Sequence, residues 1–258
     1  MMRSHIVFFL VLCITSCTSD DNYFSLEGAD IGKYIVAHRG NWKQHGYPQN
    51  SIASLKDAIR MDIYGVELDV RQTKDSVFVI NHDSIYSYEI ISKSTYSDLN
   101  KSKLGNGENL PTLNDFLSVY KQSETKTKLI VELKKCNIRS VLSLIDSYSL
   151  LDRVEFVTFQ RDYCDELVDL GYGDKVSYSI EYESLALSPS EIKKSGYGGV
   201  CYSYNLIDKN KKWISEAANL GVRINVWTVD DLYSIKQYAD QGLIVTTNVT
   251  WLCVPQNN

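Results

Sequence analysis

The chain has 258 residues, of which 44% are hydrophobic and 23% charged, values that are ordinary for a globular protein. Its formal net charge is −5 and no block of lysine and arginine occurs, which argues against a nucleic-acid surface. The cysteines beyond residue 17 form no C-x-x-C or other zinc spacing; they are Cys136, Cys164, Cys201 and Cys253. A disulfide among them is chemically possible, but the spacing selects no pairing.

The first residues have the three parts of an export signal. Arg3 supplies a positive charge, residues 6–12 ("IVFFLVL") form an apolar run too short to span a bilayer, and "ITSC" ends at Cys17. We predict a bacterial lipoprotein signal peptide over residues 1–16, and a lipidated Cys17 followed by an acidic tether over residues 17–32. The alternative is an ordinary signal peptide with an incidental cysteine. The predicted location is the outer membrane, on its periplasmic face or the cell surface, with the lipid as membrane anchor.

From residue 33 onwards, short β-branched or aromatic runs alternate with longer amphipathic segments, which is typical of βα units. We predict one domain over residues 33–253 with the fold of a TIM-type (β/α)8 barrel, whose usual length is about 250 residues. Helical segments are predicted between the strands, and residues 208–220 form one of them. Asn50 and Ser51 are predicted to cap the N-terminus of the first helix. The predicted strands span residues 34–38, 64–70, 128–133, 154–159, 175–180, 198–202, 222–227 and 243–247.

Residues 77–83 ("VFVINHD") interrupt this alternation. They follow the second strand after only six residues, too few for the helix that a parallel crossover needs. We therefore predict a hairpin with its turn near residues 74–75, a register that places His82 opposite Glu67. The polar residues 84–111 that follow are predicted to form a small insertion beside the barrel mouth.

Polar side chains concentrate at the ends of the first three predicted barrel strands. In barrels of this kind the carboxyl ends of the strands form the active-site mouth, and residues two apart on a strand share a face. The predicted strands therefore bring one group of side chains together. Its members are His38, Arg39, Glu67, Asp69, Glu132 and Lys134, with His82 added by the hairpin.

This set of side chains suits a phosphodiester. Three carboxylates in one mouth must be protonated or neutralised by a cation, and ligands that offer only oxygen favour Mg²⁺ or Ca²⁺. Arg39 offers a planar fork for two phosphate oxygens, and Lys134 a point charge for a third. Two histidines can accept and donate a proton near neutral pH. Each feature alone has a structural explanation, such as an exposed sheet face or a surface ion pair, but their coincidence at strand ends favours a site.

The motifs "AHRG", "PQNS", "GVELDVRQTKDSVFVINHD", "LPTLNDFL", "VELK" and "VWTVDD" occur in this order and cover nearly all of residues 34–248. In sequence and order they resemble the glycerophosphodiester phosphodiesterase family. The resemblance implies a TIM barrel with an insertion after the His-Asp motif. It also implies a metal-dependent hydrolase that cuts a small-molecule glycerophosphodiester to glycerol 3-phosphate and an alcohol.

The resemblance also implies a role for each matching residue. Trp227 corresponds to an aromatic residue that borders the glycerol pocket, although packing at the barrel rim would also explain it. The implied acid–base pair is His38 and His82, the phosphate contacts are Arg39 and Lys134, and the metal ligands are Glu67, Asp69 and Glu132.

Two departures from the family pattern concern substrate preference. Gln49 stands where the family usually has glutamate, and the Arg-Thr-Thr that usually follows His-Asp is replaced by "SIYSYEI". We expect these changes to alter rate or preference without abolishing the reaction. Two alternatives stay open from sequence: a lyase or phospholipase-like relative that forms a cyclic phosphate, and a catalytically dead surface lipoprotein that binds glycans or phosphodiesters.

Overall fold

Eight parallel strands close into a barrel in the structure, a computed structural model that describes residues 31–254. The strands are β1 Ile35–Ala37, β2 Gly65–Gln72, β3 Phe78–Ile80, β4 Ile85–Tyr86, β5 Glu89–Ile90, β6 Lys128–Leu133, β7 Val154–Thr158, β8 Val176–Ile180, β9 Gly199–Ser203, β10 Arg223–Trp227 and β11 Ile244–Thr247. The strand order around the barrel is β1-β2-β6-β7-β8-β9-β10-β11, with β1 pairing again with β11. The predicted (β/α)8 barrel is thereby confirmed.

Helices cover the outside of the barrel. The helices of the described residues are α1 Ile52–Ile59, α2 Tyr96–Leu99, α3 Leu113–Gln122, α4 Ile138–Ser147, α5 Arg161–Asp169, α6 Pro189–Lys194, α7 Tyr204–Lys209, α8 Lys212–Leu220 and α9 Leu232–Asp240, of which α2 lies in the predicted insertion and not on the barrel. Within residues 31–254, none of the helices has the length and apolar character needed to cross a membrane. The predicted signal peptide over 1–16, Cys17 and nearly all of the tether over 17–32 lie outside the described residues, and the domain boundaries stay predictions.

The segment 208–220, predicted as one helix, belongs to two helices. The first ends at Lys209 and the second begins at Lys212. Asn210 ends the first helix: its side-chain amide donates to the carbonyl of Leu206 at 2.9 Å, and its backbone leaves helical geometry at φ −124° and ψ 44°. Asparagine competes in this way with the helical hydrogen bonds of its own backbone.

The apolar core has two parts. The larger lies between the strands and the surrounding helices, and a smaller layer fills the barrel interior. Strand alternation points every second residue inward, and the interior layer consists of Val36, Ile130, Val157, Cys201 and Ile244. Gly65 leaves room for this layer, because a Cβ there would lie 2.7 Å from Cγ1 of Ile130. The four cysteines of the described chain are buried and free, so no disulfide joins them.

The hairpin of β2 and β3 has a register one residue different from the prediction. Val70 pairs with Ile80, and the amide of Asn81 donates to the carbonyl of Asp69 at 3.0 Å, so the placement of His82 opposite Glu67 is wrong. The turn holds one more residue than predicted: Thr73 N–H donates to Val77 O at 2.9 Å, and Ser76 takes a left-handed φ of 66°. Three-residue hairpin loops commonly contain such a left-handed residue.

The predicted insertion over residues 84–111 forms a small lobe. It contains the β4–β5 ribbon and α2. Its own apolar cluster consists of Val79 from β3 together with Ile91, Leu99 and Leu110. Glu108 attaches the lobe to the barrel, since its two carboxylate oxygens accept from the N–H groups of Ile52 and Ala53 at 2.8 and 3.1 Å. These are the first residues of α1, where an anion is favoured by the free N–H groups and the helix dipole.

We predict that Glu108→Ala lowers the free energy of unfolding by about 1 kcal/mol, as expected when a capping acceptor is lost from a helix N-terminus. Urea unfolding followed by circular dichroism measures the change. Glu124→Ala is the control, because it removes the same charge from an exposed loop position. Equal stability losses in the two variants would contradict the capping role.

Candidate active site

A cavity of about 120 Å³ opens at the carboxyl ends of the barrel strands. The interior layer of the core closes its lower end, with Ile130, Val157 and Cys201 in its wall. Every side chain that the sequence assigned to the barrel mouth contributes to the wall except Asp69, which is fully buried. The selected residues in the wall are His38, Arg39, Glu67, His82, Glu132, Lys134 and Trp227.

Three carboxylates converge because β2 and β6 are parallel neighbours in matched register. Asp69 pairs with Glu132 across the two strands, and Glu67 lies two residues earlier on the same face of β2. One oxygen from each carboxylate lies within 4.8 Å of the others. The convergence expected from sequence is therefore present.

Burial and mutual repulsion separate the proton affinities of the three acids. Burial raises the pKa of Glu67 well above its ordinary value, and the charges of Asp69 and Glu132 raise it further. Burial, with the charge of Asp69, likewise raises the pKa of Glu132 to about 7. Burial also acts to raise the pKa of Asp69, but Lys134, Arg39 and the Asn50 amide outweigh it and lower the value. Asp69 is therefore the acid that ionises most readily, whereas Glu67 and Glu132 bind a proton more readily than ordinary glutamates.

The donor set fits a hard divalent cation. Oxygen Oε1 of Glu67 is buried and has no hydrogen-bond partner among the described residues. Oxygens of Asp69 and Glu132 lie 3.1 and 2.6 Å from the ammonium of Lys134, and Nε of Arg39 lies 3.5 Å from Asp69. Three converging carboxylates with an unsatisfied oxygen are typical of a Mg²⁺ or Ca²⁺ site.

The His-Arg-Gly motif forms a sharp turn at the end of β1. Arg39 has a left-handed φ of 58°, which few non-glycine residues adopt, and its N–H donates to Glu67 at 2.8 Å. Gly40 follows at φ 85°, and a Cβ there would lie 2.7 Å from the backbone carbon of Ser54. The guanidinium also donates to the side-chain oxygen of Gln49 at 2.6 Å. Gln49 therefore provides the arginine with a neutral acceptor at the position where the family pattern has an acid.

Asn50 has a role that sequence reasoning missed. The cap of α1 is Ser51, in a reciprocal pair with Ser54, and not Asn50. Asn50 instead has a left-handed φ of 58° and donates from its side-chain amide to Asp69 at 2.8 Å, while its carbonyl oxygen accepts from the Asp69 N–H at 3.3 Å. It holds the central carboxylate in place and lowers its pKa.

The two histidines are held at the same ring atom by different partners. Nδ1 of His38 lies 2.9 Å from the side-chain oxygen of Asn248, and Nδ1 of His82 lies 2.8 Å from the carboxylate of Asp83. Burial, helped by the charge of Arg39, lowers the pKa of His38 to about 4. Burial also lowers the pKa of His82, although Asp69 and Asp83 act in the opposite direction. Both rings keep Nε2 for another partner.

An aromatic pair forms part of the cavity wall. Phe159 and Trp227 meet edge to face at 5.4 Å between ring centroids, and the Lys134 ammonium lies 5.7 Å from the centroid of Phe159. The indole N–H of Trp227 donates to the carbonyl of Cys201 at 3.1 Å, so this side chain both lines the cavity and packs at the rim. The sequence analysis did not select Phe159. Its position directly after β7 could have indicated it, because the carboxyl ends of barrel strands form the active-site mouth.

The fold and the site together define a (β/α)8 barrel with a carboxylate and histidine site at its mouth. The sequence profile described as "Glycerophosphoryl diester phosphodiesterase family" matches residues 38–249. The chain belongs to that family, and the resemblance inferred from its motifs is confirmed.

Individual relatives agree with this assignment. A solved glycerophosphodiester phosphodiesterase from Parabacteroides distasonis shares 34% identity and a TM-score of 0.78, over 84% of this chain and 93% of that one. The glycerophosphodiester phosphodiesterase of Caldanaerobacter subterraneus subsp. tengcongensis is 25% identical over 81% of this chain and 90% of its own. A probable glycerophosphodiester phosphodiesterase 2 of Mycobacterium tuberculosis is 33% identical, but the match spans only 34% of that relative's length.

We predict that Mg²⁺ or Ca²⁺ added to the metal-free protein raises its melting temperature and that Glu67→Gln removes this rise. A ligand at 100 times its Kd adds about 2.7 kcal/mol of stability, or about 5–10 °C for a chain of this size. Glutamine relieves like-charge repulsion, so the variant itself should stay folded. Differential scanning calorimetry with and without the ion measures the shift.

Asp152→Asn is the control for this measurement. It removes one carboxylate from an exposed residue just before β7, at the opposite end of the barrel. It should keep the full ion-dependent rise. The same rise in Glu67→Gln as in the unmodified protein would contradict binding at the three carboxylates.

Proposed function

We propose that the protein hydrolyses glycerophosphodiesters to glycerol 3-phosphate and an alcohol with the help of one divalent cation, Mg²⁺ or Ca²⁺. The observation that carries this proposal is a cavity lined by two carboxylates, two histidines and two cationic side chains, with the buried carboxylate of Asp69 completing the acid cluster. The chain's membership of the glycerophosphoryl diester phosphodiesterase family supports it.

The phosphate binds in the cavity beside the two cationic side chains and the acid cluster. Arg39 has a planar fork that matches two phosphate oxygens, and Lys134, which follows β6, supplies a further positive charge. A divalent ion held by Glu67, Asp69 and Glu132 would polarise a phosphoryl oxygen and offset charge in the transition state. The glycerol moiety enters the cavity beside Trp227, whose ring offers an apolar surface to its carbon atoms.

Proton transfer falls to the two histidines. Each uses Nδ1 for a hydrogen bond within the protein, which leaves Nε2 to exchange a proton with the substrate. One ring deprotonates the nucleophile, and the other protonates the departing alkoxide. The nucleophile is water or a glycerol hydroxyl, and the latter route passes through a cyclic phosphate.

We predict that His38→Ala and His82→Ala each lower kcat by about 10²–10⁴-fold, the usual contribution of a positioned general acid or base. Hydrolysis of glycerophosphocholine, followed as glycerol 3-phosphate release, measures the loss. The matched control is His45→Ala, because His45 is an exposed loop histidine 3.6 Å from Asp57. Unchanged turnover in either of the first two variants would overturn that residue's assignment.

A panel of glycerophosphodiesters with different head groups tests the reaction itself. Turnover should stop with EDTA and return with Mg²⁺ or Ca²⁺. Phosphorus NMR during the reaction should show glycerol 3-phosphate as the accumulating product. A persistent cyclic phosphate would show that the protein is a lyase and not a hydrolase. The absence of metal-dependent turnover on every diester would favour a binding protein.

We also propose that the protein is an exported lipoprotein anchored in the outer membrane through Cys17. The support is the sequence pattern of the first 17 residues, which lies outside the described part of the structure. We predict that Cys17→Ala moves the protein from the membrane to the soluble fraction of the producing bacterium. Immunoblots of the separated fractions measure this, with Cys136→Ala as control. An unchanged distribution would contradict the anchor.

A further inference from the structure

A chain of hydrogen bonds leads from His38 away from the cavity. Nδ1 of His38 lies 2.9 Å from Oδ1 of Asn248, and Nδ2 of Asn248 donates to the carboxylate of Asp230 at 3.0 Å. The backbone N–H of Asn248 donates to the same carboxylate at 2.8 Å. The residues come from three places, because His38 follows β1, Asp230 follows β10 and Asn248 follows β11.

The carboxylate at the far end determines the direction of every bond in this chain. Ionised Asp230 only accepts hydrogen bonds, so the amide group of Asn248 must turn its NH₂ toward it. The carbonyl oxygen of Asn248 therefore faces His38, and Nδ1 of the ring must carry the proton. Neutral His38 then has its lone pair on Nε2, which is the atom left for the substrate.

The surroundings of Asp230 keep it in the ionised form. Burial acts to raise its pKa, but hydrogen bonds from Asn248 and Thr247 and the charge of Lys43 lower it overall. The hydroxyl of Thr247 donates at 3.2 Å, and the Lys43 ammonium lies 3.7 Å away. The carboxylate is thus a dependable acceptor near neutral pH.

The partner of the second histidine is different in kind. His82 faces the carboxylate of Asp83, whereas His38 faces a neutral amide with the carboxylate one residue further away. A carboxylate in direct contact stabilises the protonated ring, and an amide does so less. The two arrangements suit His38 to accept a proton and His82 to donate one.

We propose that Asn248 and Asp230 are positioning residues that hold His38 as the Nδ1–H tautomer with Nε2 free to act as the general base. The catalytic consequence rests on the proposed phosphodiesterase reaction, whereas the tautomer can be observed without substrate. Neither residue belongs to the cavity wall, so their effect on the reaction passes through His38.

Two variants and their combination separate positioning from simple stability. Asp230→Asn lets the Asn248 amide turn over and offer NH₂ to the ring, which moves the histidine proton to Nε2. Asn248→Asp puts a second carboxylate against Asp230, and like charges at that distance oppose each other. The double exchange D230N/N248D places the amide behind the carboxylate, so that an acceptor faces Nδ1 again.

The expected results differ among these variants. Asp230→Asn should lower kcat by about 10²-fold with KM little changed, because only the placement of the base is affected. The double exchange should recover only part of the lost kcat, because the carboxylate that then faces Nδ1 restores the tautomer but also favours the protonated ring. Asp231→Asn is the control: it makes the same change one residue away at the α9 N-cap, where asparagine caps as well as aspartate.

Nitrogen-15 NMR of histidine-labelled protein gives the readout that a merely structural role would not move. His38 should show the Nδ1–H tautomer in the unmodified protein and in the double exchange, and the Nε2–H tautomer in Asp230→Asn. An Nε2–H signature in the unmodified protein overturns the proposal. So does an unchanged tautomer in Asp230→Asn, or a double exchange that does not restore it.

The proposed phosphodiesterase reaction has a different test, because it is contradicted if the unmodified protein turns over no diester. The tautomer measurement then still decides whether Asn248 and Asp230 position the ring. A loss of kcat in Asp230→Asn without any change of tautomer would show that the residues act on stability alone, and this also overturns the proposal.

Discussion

The arrangement of the mouth follows from three buried carboxylates that cannot all stay charged without cations nearby. Matched parallel register between β2 and β6 forces them together, and Asp69 occupies the centre without contact to solvent. The compensation is local, because Arg39 and Lys134 both lie against Asp69. A net negative chain can thus present a mouth that attracts an anion, since the charge that matters is the one within a few ångströms.

The same cluster explains why the backbone around it is strained. Arg39 and Asn50 both take left-handed φ angles of 58°, and both hydrogen-bond to an acid of the cluster, Arg39 to Glu67 and Asn50 to Asp69. Such conformations persist only where the surrounding contacts compensate for them. The contact between Gly40 and Ser54 joins this turn to the first helix, so the strand end, the turn and the helix start act as one unit.

Sequence predicted the barrel well because its strands are short runs rich in β-branched or aromatic residues. The observed β6 matches the predicted 128–133 at both ends. The sequence predicted less where a single residue determines the local backbone conformation. The extra residue in the β2–β3 turn depends on a left-handed Ser76, and the split of 208–220 depends on the side chain of Asn210. Asn248 was missed because it meets His38 across 210 positions of sequence, and no local pattern reports such a contact.

The insertion is attached to the barrel at both of its ends. At one end, the Arg71 guanidinium donates a hydrogen bond to the carbonyl of His82, just after β3. At the other end, Glu108 accepts a hydrogen bond from the first N–H of α1. The segment between these two anchors has its own apolar centre. None of its described residues lines the cavity, so the barrel strands and the loops that follow them supply the whole wall of the candidate active site.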